Sequence, residues 1–229
     1  MKLKLIKKIQ ETKNVTSFIF EPEEKLIWRA GQYLHYVLHH EPTDDRGSDR
    51  WFTVSSAPFE KHIQITTRFD SKRSSTFKTE LHKLEIGKSQ IEVSFLEGDF
   101  VVVDPNLEYM FIAGGIGITP FRSIIKQLEH EQKPINAHLL YANHDENVVF
   151  KTEIEEIAAK NPNFKIHYIF SPDHIDESKI KSFVPDIKTP IFYVSGPEVM
   201  VESIIKMLKD MKIPENRIKG DWFPNYKPF

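Results

Sequence analysis

The stretch Phe111-Ile112-Ala113-Gly114-Gly115-Ile116-Gly117-Ile118-Thr119-Pro120 decides the fold of this chain. An apolar run ends in a cluster of glycines, and a helical pattern starts at Pro120 and continues to about Leu128. Proline is favoured in the first turn of a helix, where its missing N–H has no partner to lose. Glycines let backbone approach a ligand closely, and a helix amino terminus offers unpaired N–H groups and a positive dipole end to a phosphate. A tight strand-to-helix turn without a ligand accounts for the same glycines. The segment departs from Gly-x-Gly-x-x-Gly, since Pro120 stands in the last glycine's place.

Downstream, short apolar runs at Ala137–Tyr141, Phe164–Phe170 and Ile191–Val194 alternate with helical patterns near Thr152–Ala159 and Pro197–Met211. Strands alternating with helices of this length imply parallel pairing with right-handed crossovers, a doubly wound α/β sheet. Ligands of such sheets bind at the carboxyl ends of the strands, which favours a dinucleotide at the glycine turn. A second turn, Val194-Ser195-Gly196-Pro197, ends the last of these strands and opens a helix. Alone it is an ordinary helix start; with the first turn it flanks one crevice.

Upstream the rhythm is different. Phe18 and Phe20 alternate with Ser17 and Ile19, Leu34, Tyr36 and Leu38 with His35 and Val37, and Ile63/Ile65 and Ile91/Val93 repeat the period of two. Turn signals at Glu21-Pro22, Ala30-Gly31, Glu41–Asp49, Ala57-Pro58 and Gly87 separate these runs, so the first half reads as a β-sandwich or barrel. One helix, near Thr76–Leu84, interrupts it. The change falls near Val103–Leu107, giving domains 1–104 and 105–229.

The 229 residues suffice for two small domains, and a formal net charge of −2 points to neither nucleic acid nor an anionic membrane. The absence of cysteine excludes disulfides, thiolate nucleophiles and cysteine-ligated zinc or iron–sulfur clusters on this chain. The basic start Met1–Lys8 lacks the apolar core of a secretory signal, and no run approaches the ~18 apolar residues of a membrane span. A cytoplasmic protein is expected. The ten histidines show no paired ligand spacing, and neither a Gly-x-Ser-x-Gly elbow nor a Walker loop is present.

In the β half, Arg50-Trp51-Phe52-Thr53-Val54-Ser55-Ser56 places an arginine, aromatic rings and hydroxyls close together. Such a strand can clamp a pyrophosphate and stack a flat ring, or it is a plain strand with a surface arginine. Lys72-Arg73-Ser74-Ser75-Thr76 is either a capped helix start with solvated charges or an anion site. The tail Trp222-Phe223-Pro224-Asn225-Tyr226 is either docked on the core or an aromatic lid.

Taken in order, these segments resemble the ferredoxin–NADP⁺ reductase superfamily over essentially the whole chain. Trp28-Arg29-Ala30-Gly31-Gln32-Tyr33 is similar to its early aromatic-Gly-Gln turn, and Arg50, Phe52 and Thr53 match its Arg-x-Tyr/Phe-Ser/Thr motif. Gly114–Pro120 matches its dinucleotide turn, and Ser195-Gly196-Pro197 its Cys-Gly-Pro turn, with serine for cysteine. The resemblance implies an antiparallel Greek-key FAD-binding β-barrel followed by a doubly wound NAD(P)-binding domain. It implies that Arg50, Ser75 and Thr76 meet the FAD pyrophosphate, that Phe52 packs along the flavin, and that the Thr53 hydroxyl sits near flavin N5. Gly114, Gly115, Gly117 and Thr119 would cradle the pyridine nucleotide, with Asn143, Gly196 and Pro197 beside it and Ser195 near the nicotinamide. Phe223, or else Trp222, would cover the flavin.

The function so implied is electron transfer from NADH or NADPH through FAD to a ferredoxin- or flavodoxin-type protein or a small acceptor, or the reverse. The alternatives are an FAD-holding subunit active only in a complex, a free-flavin or ferric-chelate reductase, and a nucleotide-binding module without flavin. His144 suits a 2′-phosphate and Asp145 repels one, so the nucleotide stays open. Lys72, Arg73 and Lys78 are candidates for docking an acidic partner.

Overall fold

The computed structural model describes residues 1–184 and 186–222, and among them two compact units, Met1–Val101 and Val102 onward. The first holds β1 (Lys2–Thr12), β2 (Val15–Pro22), β3 (Tyr33–Val37), β4 (Asp49–Thr53), β5 (Ile63–Arg68), α1 (Thr76–Lys83) and β6 (Gln90–Glu97). All pairings are antiparallel, in the order β4-β3-β6-β1-β2-β5. Just past β4, the Ser55 amide and hydroxyl both donate to the Gln64 carbonyl on β5, at 2.9 Å each. That link joins the two edges and curls the sheet into the expected barrel, with the Greek-key sequence 1-2-5-4-3-6.

The period of two is realised as read. Phe18, Phe20, Leu34, Tyr36, Ile63, Ile65, Ile91 and Val93 point inward and form one core with Phe77 and Leu81 of α1. The basic amino terminus holds a strand that the charge had disguised: in β1, Leu3 and Leu5 are fully buried while Lys2 and Lys4 face water. Ser75 caps α1, its side chain accepting from the Lys78 amide.

The second unit is one parallel sheet, ordered β11-β10-β7-β8-β9. Its strands are β7 (Tyr109–Gly114), β8 (Ala137–Asn143), β9 (Phe164–Phe170), β10 (Ile191–Ser195) and β11 (Ile218–Asp221). Its helices are α2 (Thr119–His130), α3 (Lys151–Lys160), α4 (Glu177–Phe183) and α5 (Glu198–Asp210). Met110, Ile112, Phe192 and Val194 pack on Ile180 of α4 and on Val201, Ile204 and Leu208 of α5. Phe111 meets Phe121 of α2 on the opposite face, where Arg122 pairs with Glu153 of α3. The sheet is therefore doubly wound. The sequence pattern missed α4 and the short edge strand β11. Ile218-Lys219-Gly220-Asp221 carries one large apolar residue and no alternation, so only its pairing with β10 defines it.

Candidate functional site

In the first unit, the candidate residues converge on the amino terminus of α1. Alternation along β4 puts Arg50 and Phe52 on one side of the strand. The Arg50 guanidinium lies 5.5 Å from the Phe77 ring centroid, and Phe52 lies 5.8 Å from both Phe77 and Tyr36. Nη1 of Arg50 donates to the carbonyls of Arg46 (2.8 Å) and Gly47 (3.1 Å), and Nη2 to Asp44 Oδ1 (2.9 Å). Its Nε is buried without a partner.

Four cations from four segments gather here. Arg46 precedes β4, Arg50 lies on it, Arg68 ends β5 and Lys78 is in the first turn of α1. Lys78 Nζ donates to the Arg68 carbonyl at 3.2 Å, and Nε of Arg68 is buried and unpartnered. Burial first, then the charges of Arg46, Arg68 and Arg50, push the Lys78 ammonium down to about 8. Lys78 thus turns into this cluster and is no docking residue, while Lys72 and Arg73 are exposed.

The carboxylate among these cations is Asp44, which the sequence reading did not single out. Its Oδ2 accepts from the Thr76 amide at 3.0 Å and its own amide donates to Thr76 Oγ1 at 3.0 Å. Burial would raise its pKa, but hydrogen bonds from the Arg46 and Thr76 amides and the charges of Arg50 and Arg46 hold it below the usual carboxylate value.

At the other end of β4, Thr53 is 4% exposed and its hydroxyl has no partner. A buried hydroxyl without a partner carries a desolvation cost of about 1–3 kcal/mol unless something else bonds it. At ~3.3 Å per residue along a strand, Arg50 and Thr53 stand roughly 10 Å apart. A cation cluster with two unpartnered Nε groups and an orphaned hydroxyl at opposite ends of one strand fit a ligand with a diphosphate at one end and a polar ring edge at the other. The residues present fit FAD.

In the second unit, both glycine turns lie at carboxyl ends of adjacent strands. The order passes from β7 to β8 on one side and to β10 on the other, so the crevice at these ends is the switch point of the sheet. Gly115 has a φ of 52°, opens a single tight turn through Ile118, and leads directly into α2 with Pro120 in its first turn. A Cβ at Gly117 would run into the Ser195 carbonyl and come within 2.6 Å of the Gly196 Cα. The two turns are in backbone contact, and Gly117 is required by that contact. Thr119 Oγ1 donates to the Ile116 carbonyl at 3.2 Å, and the Tyr141 hydroxyl to the Gly115 carbonyl at 3.1 Å.

Ser195 is 2% exposed and its hydroxyl donates to Oδ2 of Asp221 at 3.3 Å. Asp221, 7% exposed, is in register with Ser195 on β11; nothing in the sequence marked it, because β11 itself was not recognised. Pro197 caps α5, and it and Met200 crowd Gly114. At the end of β8, Asn143 Nδ2 is buried without a partner, whereas His144, Asp145 and Glu146 are exposed. Phe223 and Tyr226 lie outside the described residues; Trp222 is 42% exposed. Among the described residues no cluster of side chains suits a metal ion, and no helix is long and apolar enough to cross a membrane.

Comparison with known proteins bears on both units. Residues 111–206 match the oxidoreductase NAD-binding domain family. The chain is 25% identical to a flavohemoprotein of Oceanobacillus iheyensis over 98% of its own length and 59% of that protein's. It is 24% identical to the glycine betaine monooxygenase reductase subunit of Chromohalobacter salexigens, over 90% and 60%. The chain thus spans about 59% of the curated relatives it matches. Among solved structures, the FAD/NAD-binding domain of a Vibrio cholerae nitric oxide dioxygenase superposes with a TM-score of 0.82 at 20% identity, covering 97% of this chain and 98% of that one. The ferredoxin–NADP⁺ reductase of Plasmodium falciparum gives 0.82 at 18%, covering 96% and 95%. The barrel and the doubly wound sheet share the fold of these two structures, and residues 111–206, across the glycine turn, carry the match to the oxidoreductase NAD-binding domain.

Proposed function

We propose that this chain is an FAD-dependent NAD(P)H oxidoreductase that passes electrons from the nicotinamide, through the flavin, to an electron-transfer protein or small acceptor in the cytoplasm. The observation that carries this reading is β4, with the cation cradle around Arg50, whose Nε has no partner, and the buried, unpartnered hydroxyl at Thr53. Bound FAD supplies the redox chemistry, accepting a hydride and releasing electrons singly or in pairs.

The protein's own groups bind and orient. Arg50, Arg46 and the first turn of α1, capped by Ser75, hold the diphosphate, and Phe52 packs along the ring. The Thr53 hydroxyl, buried and without a partner, would bond the polar edge of the ring. Gly115, Gly117 and Thr119 shape the turn that takes the pyridine nucleotide's diphosphate, and Asn143 bonds its ribose. The Ser195 hydroxyl, oriented by Asp221, lines the nicotinamide pocket. The exposed Asp145 and Glu146 after β8 disfavour a 2′-phosphate, which selects NADH. Lys72 and Arg73 are the exposed cations for an acidic, ferredoxin-like acceptor.

The test is an absorbance spectrum of purified protein before and after anaerobic NADH, then NADPH. Flavin bands bleached by NADH are expected. A colourless protein that takes up no added FAD would overturn the reading, and a flavin that stays oxidised with both nucleotides would leave a subunit that works only in a complex.

A further inference from the structure

The cradle at α1 is occupied by a group of the protein itself. One oxygen of Asp44 takes Nη2 of Arg50 at 2.9 Å and the Arg46 amide at 3.0 Å. The other takes Nη2 of Arg46 at 3.2 Å and the first amide of α1, that of Thr76, at 3.0 Å. A guanidinium fork and a helix amino terminus are the donors that a phosphate takes, and a carboxylate is the side chain that satisfies both. Asp44 lies in the connection between β3 and β4, yet its contacts reach 32 residues along the chain to α1. His40, from the same connection, places Nε2 2.9 Å from Thr76 Oγ1. The groups facing the carboxylate or charging its surroundings are therefore Arg46, Asp45 and His40 from this connection, Arg50 and Asp49 from β4, Arg68 from β5 and Lys78 from α1.

We propose that the Asp44 carboxylate is an internal counter-anion for this cradle: it holds Arg50 and the first N–H of α1 in binding geometry, and it yields that place to the diphosphate of the cofactor. The inference rests on the FAD reading above. Without an anion, cations packed this closely repel one another in a half-buried site, where an uncompensated charge is strongly destabilising. Asp44 offsets part of that charge, pairing with Arg46 and Arg50. A diphosphate brings more charge and more acceptor atoms to the same donors, so it wins the exchange, and the Asp44 connection moves away as it binds. FAD affinity is then the difference between two anions competing for one cradle.

The experiment compares wild type and Asp44→Asn, with FAD uptake by stripped protein followed through flavin fluorescence and with melting temperatures of the stripped and FAD-loaded forms. The variant should bind FAD about tenfold more tightly, the equivalent of one charge-assisted contact no longer competed for. Its melting temperature should fall in the stripped form alone, and inorganic pyrophosphate should restore it. Equal or weaker FAD affinity in the variant, or an equal fall in both forms, would make Asp44 a permanent brace for Arg50 and overturn the proposal. Should the stripped variant fail to fold, release of FAD on dilution of the loaded proteins decides. Release no faster than wild type supports displacement, and faster release overturns it. A wild type that takes up no FAD would remove the cofactor reading and this inference together, whereas unchanged affinity in the variant would remove this inference alone.

Discussion

On the function proposed above, the two units meet phosphate by different means. The barrel gathers side-chain charge: Arg46, Arg50, Arg68 and Lys78 come from four segments, and Asp44 pairs with the first two. The nucleotide unit uses backbone. Its crevice is made of Gly114 to Gly117, the Ser195-Gly196 turn and the start of α2, with hydroxyls, an amide and the Asp221 carboxylate behind Ser195 as its polar side chains. Charge-assisted contacts are roughly twice as strong as neutral ones. The charged cradle suits a ligand that stays, and the backbone crevice suits one that comes and goes.

That contrast is broken most severely at Gly117. Gly117→Ala drives a methyl into the Ser195 carbonyl, and backbone cannot step aside as a side chain can. A loss of about 3 kcal/mol from the nucleotide unit is expected, seen as an early thermal transition and lost NADH oxidation while FAD stays bound. Gly114→Ala meets the flexible Met200 thioether instead, and should cost closer to about 1 kcal/mol. Equal losses at the two glycines would mean that the turns are not locked together.

Arg50→Ala attacks the other unit. FAD affinity should fall by about 1.5–3 kcal/mol, the worth of a hydrogen bond to a charged group, with NADH affinity measured by titration unchanged. Flavin content equal to wild type would remove Arg50 from the cradle. Thr53→Val is a finer cut, since it keeps shape and removes the hydroxyl. Flavin content should hold, and stopped-flow reduction by NADH should slow about tenfold, the equivalent of one hydrogen bond of ~1.4 kcal/mol.

The smallest effect concerns a property the units share. His82, stacked on Phe69 in the barrel, is pushed down to about 4 by burial and then by the charges of Lys8 and Lys78. His167, stacked on Phe183, is pushed down to about 4 by burial and then by His138. Both folded values lie below the unfolded one near 6.5, so the unfolded chain binds more protons in between. The stability contributed by each neutral ring is complete above pH 6.5 and is lost as pH falls toward 4. His82→Gln should flatten the melting temperature against pH for the barrel transition, and His167→Gln for the other. A flat profile in wild type would show that neither ring stays neutral.

Legibility in the sequence followed the same division. The glycine turns were readable because a turn is a local object: Gly115 at φ 52° and Pro120 in the following helix lie within a few residues of each other. β2, β3, β5 and β6 declared themselves by the period of two, and β7 to β10 by short apolar runs. β1 was missed because Lys2, Lys4, Lys7 and Lys8 make the segment read as a charged terminus, and β11 because its four residues have no pattern apart from the neighbour they pair with. Arg50, Phe52 and Thr53 could be named by motif, but Asp44, Arg68 and the inward turn of Lys78 could not. Those three meet only after β3, β5 and α1 have packed, and no spacing along the chain records that meeting. Asp221 shares their case, being positioned by its register with Ser195.

The contact of Gly117 with the Ser195 turn has a consequence for how this sequence can change over generations. Neither turn can lengthen or acquire a side chain at its closest point without pushing on the other, so the pair is bound to drift together or stand still. The end of β8 carries no glycine of that kind: beyond Asn143, the exposed His144, Asp145 and Glu146 sit on a turn where Asp145 accepts from the amide and side chain of Asn147. Descendants of this chain have their freedom there, and a lineage that exchanges one nicotinamide nucleotide for the other can do so in those few residues while the crevice beside them is preserved.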